Sequence, residues 1–241
     1  MAGIRIRMDG EERRRTIVAA ALPLFAHKGF VGTTTREIAA AAGVSEALVF
    51  RHFPTKAALY AEIVQGGCQG DPGFAWIDTL EPSTETLVLM AHFWLNHMIR
   101  ATHGDAEDIA NRQRLMAYSY LEDGEFARLT LDTVWRAVYP KFEACIRAGR
   151  AAGEVAEGGV MTENMFWFGH HVAAGIAWGR LCGKPAVPYR GQIEDVIQDA
   201  VRFMLRALGV TQAAIDTYYR PEKLDEKCPA AVAPVAASAA E

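Results

Sequence analysis

Residues 34–53, TTREIAAAAGVSEALVFRHF, constrain the fold more than any other part of the chain. Thr34-Thr35-Arg36-Glu37 has capping-box spacing, in which a threonine oxygen and a glutamate three positions on satisfy each other's free backbone amides. The helix it opens is short, with Ile38, Ala39, Ala41 and Ala42 as a small apolar face, and Gly43 stops it before Val44. Ser45 caps a second helix running to about Phe53, which Pro54 interrupts before Thr55 caps another. Two short helices around a glycine turn follow, held against a longer helix by Ile38, Ala39, Ala42, Val44, Val49 and Phe53. Alanine abounds because the axes must approach closely.

That preceding helix begins at Glu11, carries Ile17, Ala20 or Ala21, and Leu24 or Phe25 on one stripe, and ends at Lys28-Gly29. Pro23 predicts a bend within it. Residues 1–10, MAGIRIRMDG, lack periodicity and read as a flexible basic arm. Beyond Lys56 the pattern is helical throughout, with breaks at 66–72, near Pro82, at 103–104, at 123–124, at 153–159 and at 183–188. Residues 125–152 are apolar on two sides, with a bend expected at Pro140. The Ala/Pro-rich residues 221–241 read as a mobile tail. The expected architecture is all-α: an arm (1–10), a three-helix head (11–56), a larger helical body (57–220) and the tail.

Charge divides along the same line. The net charge is −4, yet residues 1–60 hold nine basic against five acidic side chains, +4, which leaves the remainder at −8. A small basic head on an acidic body suits a protein that offers only its head to a polyanion. A solvated surface with chance asymmetry is the bland alternative. No apolar run reaches the roughly 18 to 20 residues of a membrane span and no leader pattern opens the chain, so the expectation is a soluble, cytoplasmic protein without a membrane partner. Cys68, Cys145, Cys182 and Cys228 match neither a disulfide framework nor a zinc spacing, and are expected as reduced, mostly buried thiols. No HExxH, Walker loop, GxSxG or dinucleotide fingerprint occurs, and His170-His171 diverge on a helix. No enzyme, metal or cofactor is implied.

A helix that packs behind, a glycine turn and a second helix able to enter the major groove make a helix-turn-helix. The phrase AALPLFAHKGFVGTTTREIAAAAGVSEALVFRHFPTKAALY has a helix ending LFA-x-KGF, then TT-x-EIA, GVS, HF and TK, and there the chain resembles the DNA-binding head of TetR/AcrR-type regulators. The specific likeness covers about a sixth of the chain. It implies a base reader at Arg36, a phosphate contact at Thr35 beside Thr34 and Ser45 at the helix starts, bases facing Glu46, Ala47, Leu48 and Phe50, and phosphate at His52 and Lys56. Arginine can grip guanine O6 and N7 together. Glu46 either accepts from cytosine N4 or faces solvent at a positive helix terminus. Arg51 reaches bases or backbone. Phe50 departs from the tyrosine common there, and is either an apolar base contact or core. Arg13 to Arg15 are a wet helix face or a phosphate clamp, and an Arg5/Arg7 arm fits a minor groove.

The resemblance also implies a homodimer formed by the last two long helices. Residues 161–182 carry Met165, Phe168, Val172 and Ile176 on one stripe, Trp167, His171, Ala174 and Trp178 on another, and small residues between them. A second amphipathic helix holds Ile193, Val196, Ile197, Ala200, Val201, Met204 and Leu208. Ordinary intrachain packing is the alternative for both. Trp94, Met98, Met116, Tyr120, Trp135, Tyr139, Phe142, Met165 and Phe168 are bulkier than a minimal bundle needs and are candidate linings of an effector pocket, with His97, His171 or Tyr139 as polar anchors. Core packing explains any one of them. The function expected is a ligand-responsive repressor on a palindromic operator, released by a small lipophilic or aromatic effector. An activator or a constitutive regulator remains open.

Overall fold

The computed structural model describes residues 10–68, 72–100, 107–122, 124–182 and 184–229, with side chains left undescribed at 64–68, 72 and 107–109. Its helices are α1 (Gly10–Gly32), α2 (Thr35–Ala41), α3 (Glu46–His52), α4 (Lys56–Cys68), α5 (Pro72–Thr79), α6 (Thr84–Arg100), α7 (Glu107–Leu121), α8 (Glu125–Ala151), α9 (Thr162–Trp178), α10 (Ile193–Ala207), α11 (Gln212–Tyr218) and α12 (Pro221–Lys227). Among the described residues the only pairing of extended backbone is an isolated bridge, Val155 with Val210. The expected arm lies outside the described residues except Gly10, which already starts α1.

The chain divides into two compact units: residues 1–69 with 107–131, and 70–106 with 132–241. The first takes in residues 107–131 beside the expected head of 11–56. Helix α1 buries Ile17, Ala21, Leu22, Phe25 and Ala26, more apolar surface than α2 and α3 can cover, and α7 packs along it. Phe25, Phe30, Tyr60 and Phe126 form one aromatic cluster, with Tyr60 edge-on to Phe25 at 5.0 Å and to Phe126 at 5.2 Å. Residues remote in sequence thus complete the head's core.

The one non-helical residue inside α1 is Gly29 (φ 71°, ψ 176°), not Pro23. That backbone region is essentially closed to residues with a Cβ. A Cβ there would also fall 2.1 Å from Glu122 Oε1, and Glu122 Oε2 accepts from the Phe30 amide at 3.1 Å. Gly29→Ala is expected to cost about 1–3 kcal/mol, read as a lower denaturant midpoint of the full chain. An unchanged midpoint would show that the backbone relaxes there without cost.

In the second unit α6 is buried nearly all round, since α9, α10, α11 and α12 all pack on it. Pro140 lies inside α8 without ending it. The tail expected to be mobile from residue 221 instead begins with α12: Leu224 is buried and Asp225 meets the buried His92 at 2.8 Å. Residues 230–241 lie outside the described residues. Of the thiols, Cys145 is buried, Cys228 half-buried and Cys182 exposed, so burial holds for fewer than expected; the Cys68 side chain is not among those described. No helix is long and apolar enough to cross a membrane, and no group of three or more His, Cys, Asp or Glu could hold a metal, both among the described residues.

Candidate nucleic-acid interface and body cavity

Local capping shapes the candidate interface. Thr34 Oγ1 accepts from the Glu37 amide at 3.2 Å, and Glu37 Oε2 accepts from the Thr34 amide at 2.9 Å. Glu37 also meets Lys28 at 2.6 Å. The hydrogen bond from that ammonium, then those from Thr34, pull the Glu37 carboxyl down to about 2. Gly43 (φ 63°) makes the turn, and Ser45 Oγ accepts from the Leu48 amide at 3.2 Å. Ile38, Ala39, Val49 and Phe53 face inward.

The residues left outward are those expected to meet DNA. Thr34, Arg36, Ser45, Glu46, Ala47, Phe50 and Arg51 are exposed, with Thr35, Leu48, His52 and Lys56 half-buried. Phe50 is 44 % exposed whereas Phe53 is 1 %, so the core alternative for Phe50 is excluded. Glu46 does not simply face water: its Oε1 accepts from the Thr35 hydroxyl, which ties α3 to the start of α2.

Arg14 and Lys56 also have internal partners. Arg14 grips Glu62 through Nε (3.0 Å) and Nη2 (2.7 Å), donates to the His52 carbonyl at 3.0 Å, and lies 4.4 Å over the Phe53 ring. The Glu62 hydrogen bond raises the guanidinium pKa and lowers the carboxyl's. This geometry joins α1 to α3 and α4, and removes Arg14 from the suggested phosphate clamp. Lys56 Nζ donates to the carbonyls of Phe30 (2.5 Å) and Thr33 (2.9 Å) and sits 4.2 Å over the Phe30 ring. An ammonium has three protons, so one stays free for the phosphate expected there. Buried Thr33, whose Oγ1 lies 2.9 Å from the Gly29 carbonyl and 3.1 Å from that of Leu24, completes this junction. Its place shows only once the chain has turned back at Gly29.

The second unit holds a partly open cavity of about 50 Å³. Of the expected linings it holds Trp94, Phe142 and Met165, together with Met90, Phe166, His170 and Met204, which the sequence reading missed. The others lie elsewhere. Met116 and Tyr120 belong to α7 in the first unit. Trp135 and Tyr139 stack on each other at 3.8 Å, and burial pushes the Tyr139 phenol up to about 12. Met98 is buried in the core, and His97 stacks on Phe93 at 5.8 Å. Phe168 and His171 are exposed. A helix turns about 100° per residue, so the face of α9 that buries Met165, Ala173, Ala174 and Ala177 also takes His170 inward and its neighbour outward.

Residues 17–63 match the family described as bacterial regulatory proteins, tetR family. The HTH-type transcriptional regulator AcrR of Shigella flexneri is 37 % identical over 59 residues, which cover 24 % of this chain and 27 % of that one. Among solved structures, a tetR-family regulatory protein from Rhodococcus RHA1 superposes with TM-score 0.61 at 22 % identity, covering 83 % of this chain and 98 % of its own. A transcriptional regulator from Saccharomonospora viridis in complex with choline gives 0.61 at 22 %, covering 84 % and 100 %. AibR in complex with isovaleryl coenzyme A and operator DNA gives 0.60 at 17 %, covering 83 % and 100 %. The head, residues 17–63, thus matches the tetR family of bacterial regulatory proteins and resembles the AcrR-type regulator there, and the all-α fold is the one these solved structures share.

Proposed function

We propose that the protein is a dimeric, ligand-responsive transcriptional repressor: α2 and α3 of two copies read the halves of a palindromic operator, and a small apolar effector in the body releases them. The observation that carries this is the capped, well-packed pair α2–α3, which leaves Arg36, Glu46, Ala47, Phe50 and Arg51 exposed. One such head spans few base pairs, so useful specificity calls for two. The AibR complex with both operator DNA and an acyl coenzyme A supports pairing DNA binding with ligand binding in this fold. The dimer is assigned to α9 and α10, whose outward faces carry Phe168, His171 and Gly175, and Asp195, Asp199, Phe203 and Arg206. Ligand entry favours a body conformation in which the two heads no longer match their half-sites.

The test is duplex selection from a random pool followed by anisotropy titrations. Arg36→Ala is expected to cost about 1–3 kcal/mol and relax preference at one base pair, whereas Lys56→Ala weakens all duplexes alike and lowers the salt slope by about one unit. Because Lys56 also holds the Phe30 and Thr33 carbonyls, its variant should unfold more easily as well. Parental affinity and selectivity in both variants would remove α2–α3 from the interface.

A further inference from the structure

The cavity in the second unit has a chemistry of its own. Among the described residues that line it none is charged; nearly all are aliphatic, aromatic or thioether. His170 is the exception. It is only 6 % exposed, and its Nδ1 is a buried atom with no hydrogen-bond partner. Its ring is surrounded by Trp94 at 5.5 Å, Trp167 at 6.0 Å and His171 at 5.5 Å. A buried polar atom left unpaired forfeits the hydrogen bond it made to water, and such exceptions call for an explanation.

We propose that the cavity takes a small uncharged apolar molecule bearing a single hydrogen-bonding group, a phenol or alcohol, and that this group pairs with the His170 imidazole. The inference rests on the effector reading above and names the effector's chemistry. Burial, with a smaller contribution from His171, holds the imidazole pKa down to about 4, so near neutral pH the ring offers one N–H and one lone pair but no charge. An anion therefore finds no counter-charge in the lining, and a cation finds no carboxylate. Either would be desolvated without compensation.

Size adds a second condition. Drug-sized ligands occupy about 300 Å³ or more, and a single ring needs on the order of 150 Å³; the cavity holds about 50 Å³. Met90, Met165 and Met204 line it, and methionine is the side chain that re-packs most readily. Met204 also lies across Gly169, where an added Cβ would stand 2.9 Å from its Sδ. Making room by moving Met204 thus loosens the contact between α9 and α10, the helices assigned to the dimer.

The experiment compares four probes on the full chain by calorimetry: 4-ethylphenol, its hydroxyl-free counterpart 4-ethyltoluene, 4-ethylbenzoate and tetramethylammonium. 4-Ethylphenol should bind about tenfold more tightly than 4-ethyltoluene, the factor that one hydrogen bond supplies, and the two ions should not bind measurably. In His170→Phe the tenfold preference should vanish while 4-ethyltoluene still binds. Binding of either ion as tightly as the phenol, a phenol preference that survives His170→Phe, or no binding by any probe each overturns the proposal. Anisotropy of selected duplex DNA, with and without 4-ethylphenol, separates the two readings. Probe binding that leaves DNA affinity unchanged overturns the effector role and keeps the cavity chemistry. Release of DNA by a charged probe does the reverse.

Discussion

Replacing Phe168 and Phe203 together with glutamate is expected to convert the proposed dimer to monomers and to abolish the tight operator binding proposed for it. Both rings are 61 % exposed in the single chain. They sit on helices whose other apolar residues are already used within the chain: Ala173, Ala174 and Ala177 of α9 and Val201, Met204 and Leu205 of α10 are buried. Two outward phenylalanines on otherwise polar faces are what a self-complementary surface leaves exposed when its partner is removed. Covering a phenylalanine is worth about 1.5–3 kcal/mol. Four partly exposed rings in a two-fold dimer therefore contribute about 4–8 kcal/mol, a thousandfold or more in the dissociation constant. Sedimentation at micromolar concentration reads the mass, and circular dichroism confirms that the helices remain. A double variant that sediments as a dimer places the interface elsewhere. Monomers that still hold the selected duplex tightly remove the need for two heads.

The helix-turn-helix was legible because its determinants are local. Thr34, Glu37, Gly43 and Ser45 each satisfy or turn backbone within four residues of themselves, and spacing alone reports such contacts. The stops at Pro82, at residue 124 and at 153–159 were legible for the same reason. What escaped depends on distant partners. That α7 would complete the head's core, that Lys56 would hold the end of α1, and that Asp225 would seat α12 on His92 are pairings across 26 to 133 residues, which no periodicity encodes. The cavity falls between these cases. Its aromatic and thioether composition was visible, but its lining is set by which side of α9 packs inward: the stripe of Trp167, His171, Ala174 and Trp178 is as regular as the one that buries Met165, His170, Ala173 and Ala177, and only the packed structure separates them. The expected bend at Pro23 passed to Gly29, because a glycine followed by buried Thr33 offers a sharper and better-bonded turn than a proline within helical backbone.

Stability should fall as pH drops from about 6.5 to about 4, and His170→Phe should remove much of that slope. The sign follows from which state binds the proton first. Unfolded, the ring titrates near its ordinary 6.5; folded, burial lowers it to about 4. Above 6.5 neither state is protonated and the native state is unpenalised. Between the two values the unfolded chain takes a proton that the folded chain refuses, and below 4 the loss is complete, at about 3 kcal/mol. His92, lowered by burial against the opposing pull of Asp225, adds to the slope in the same direction, so the variant flattens the curve without levelling it. Carboxylates such as Glu37, held down to about 2 by Lys28 and Thr34, lose their contribution mainly below the ordinary carboxylate range, which leaves the upper part of the window to the histidines. Phenylalanine is close to histidine in size and suits the apolar lining, so the variant should match or exceed the parent above pH 6.5. Urea unfolding at pH 7.5, 6.0, 5.0 and 4.5 gives the two curves. If they run parallel throughout, His170 titrates alike in both states, and the ring is wetter than its 6 % exposure implies.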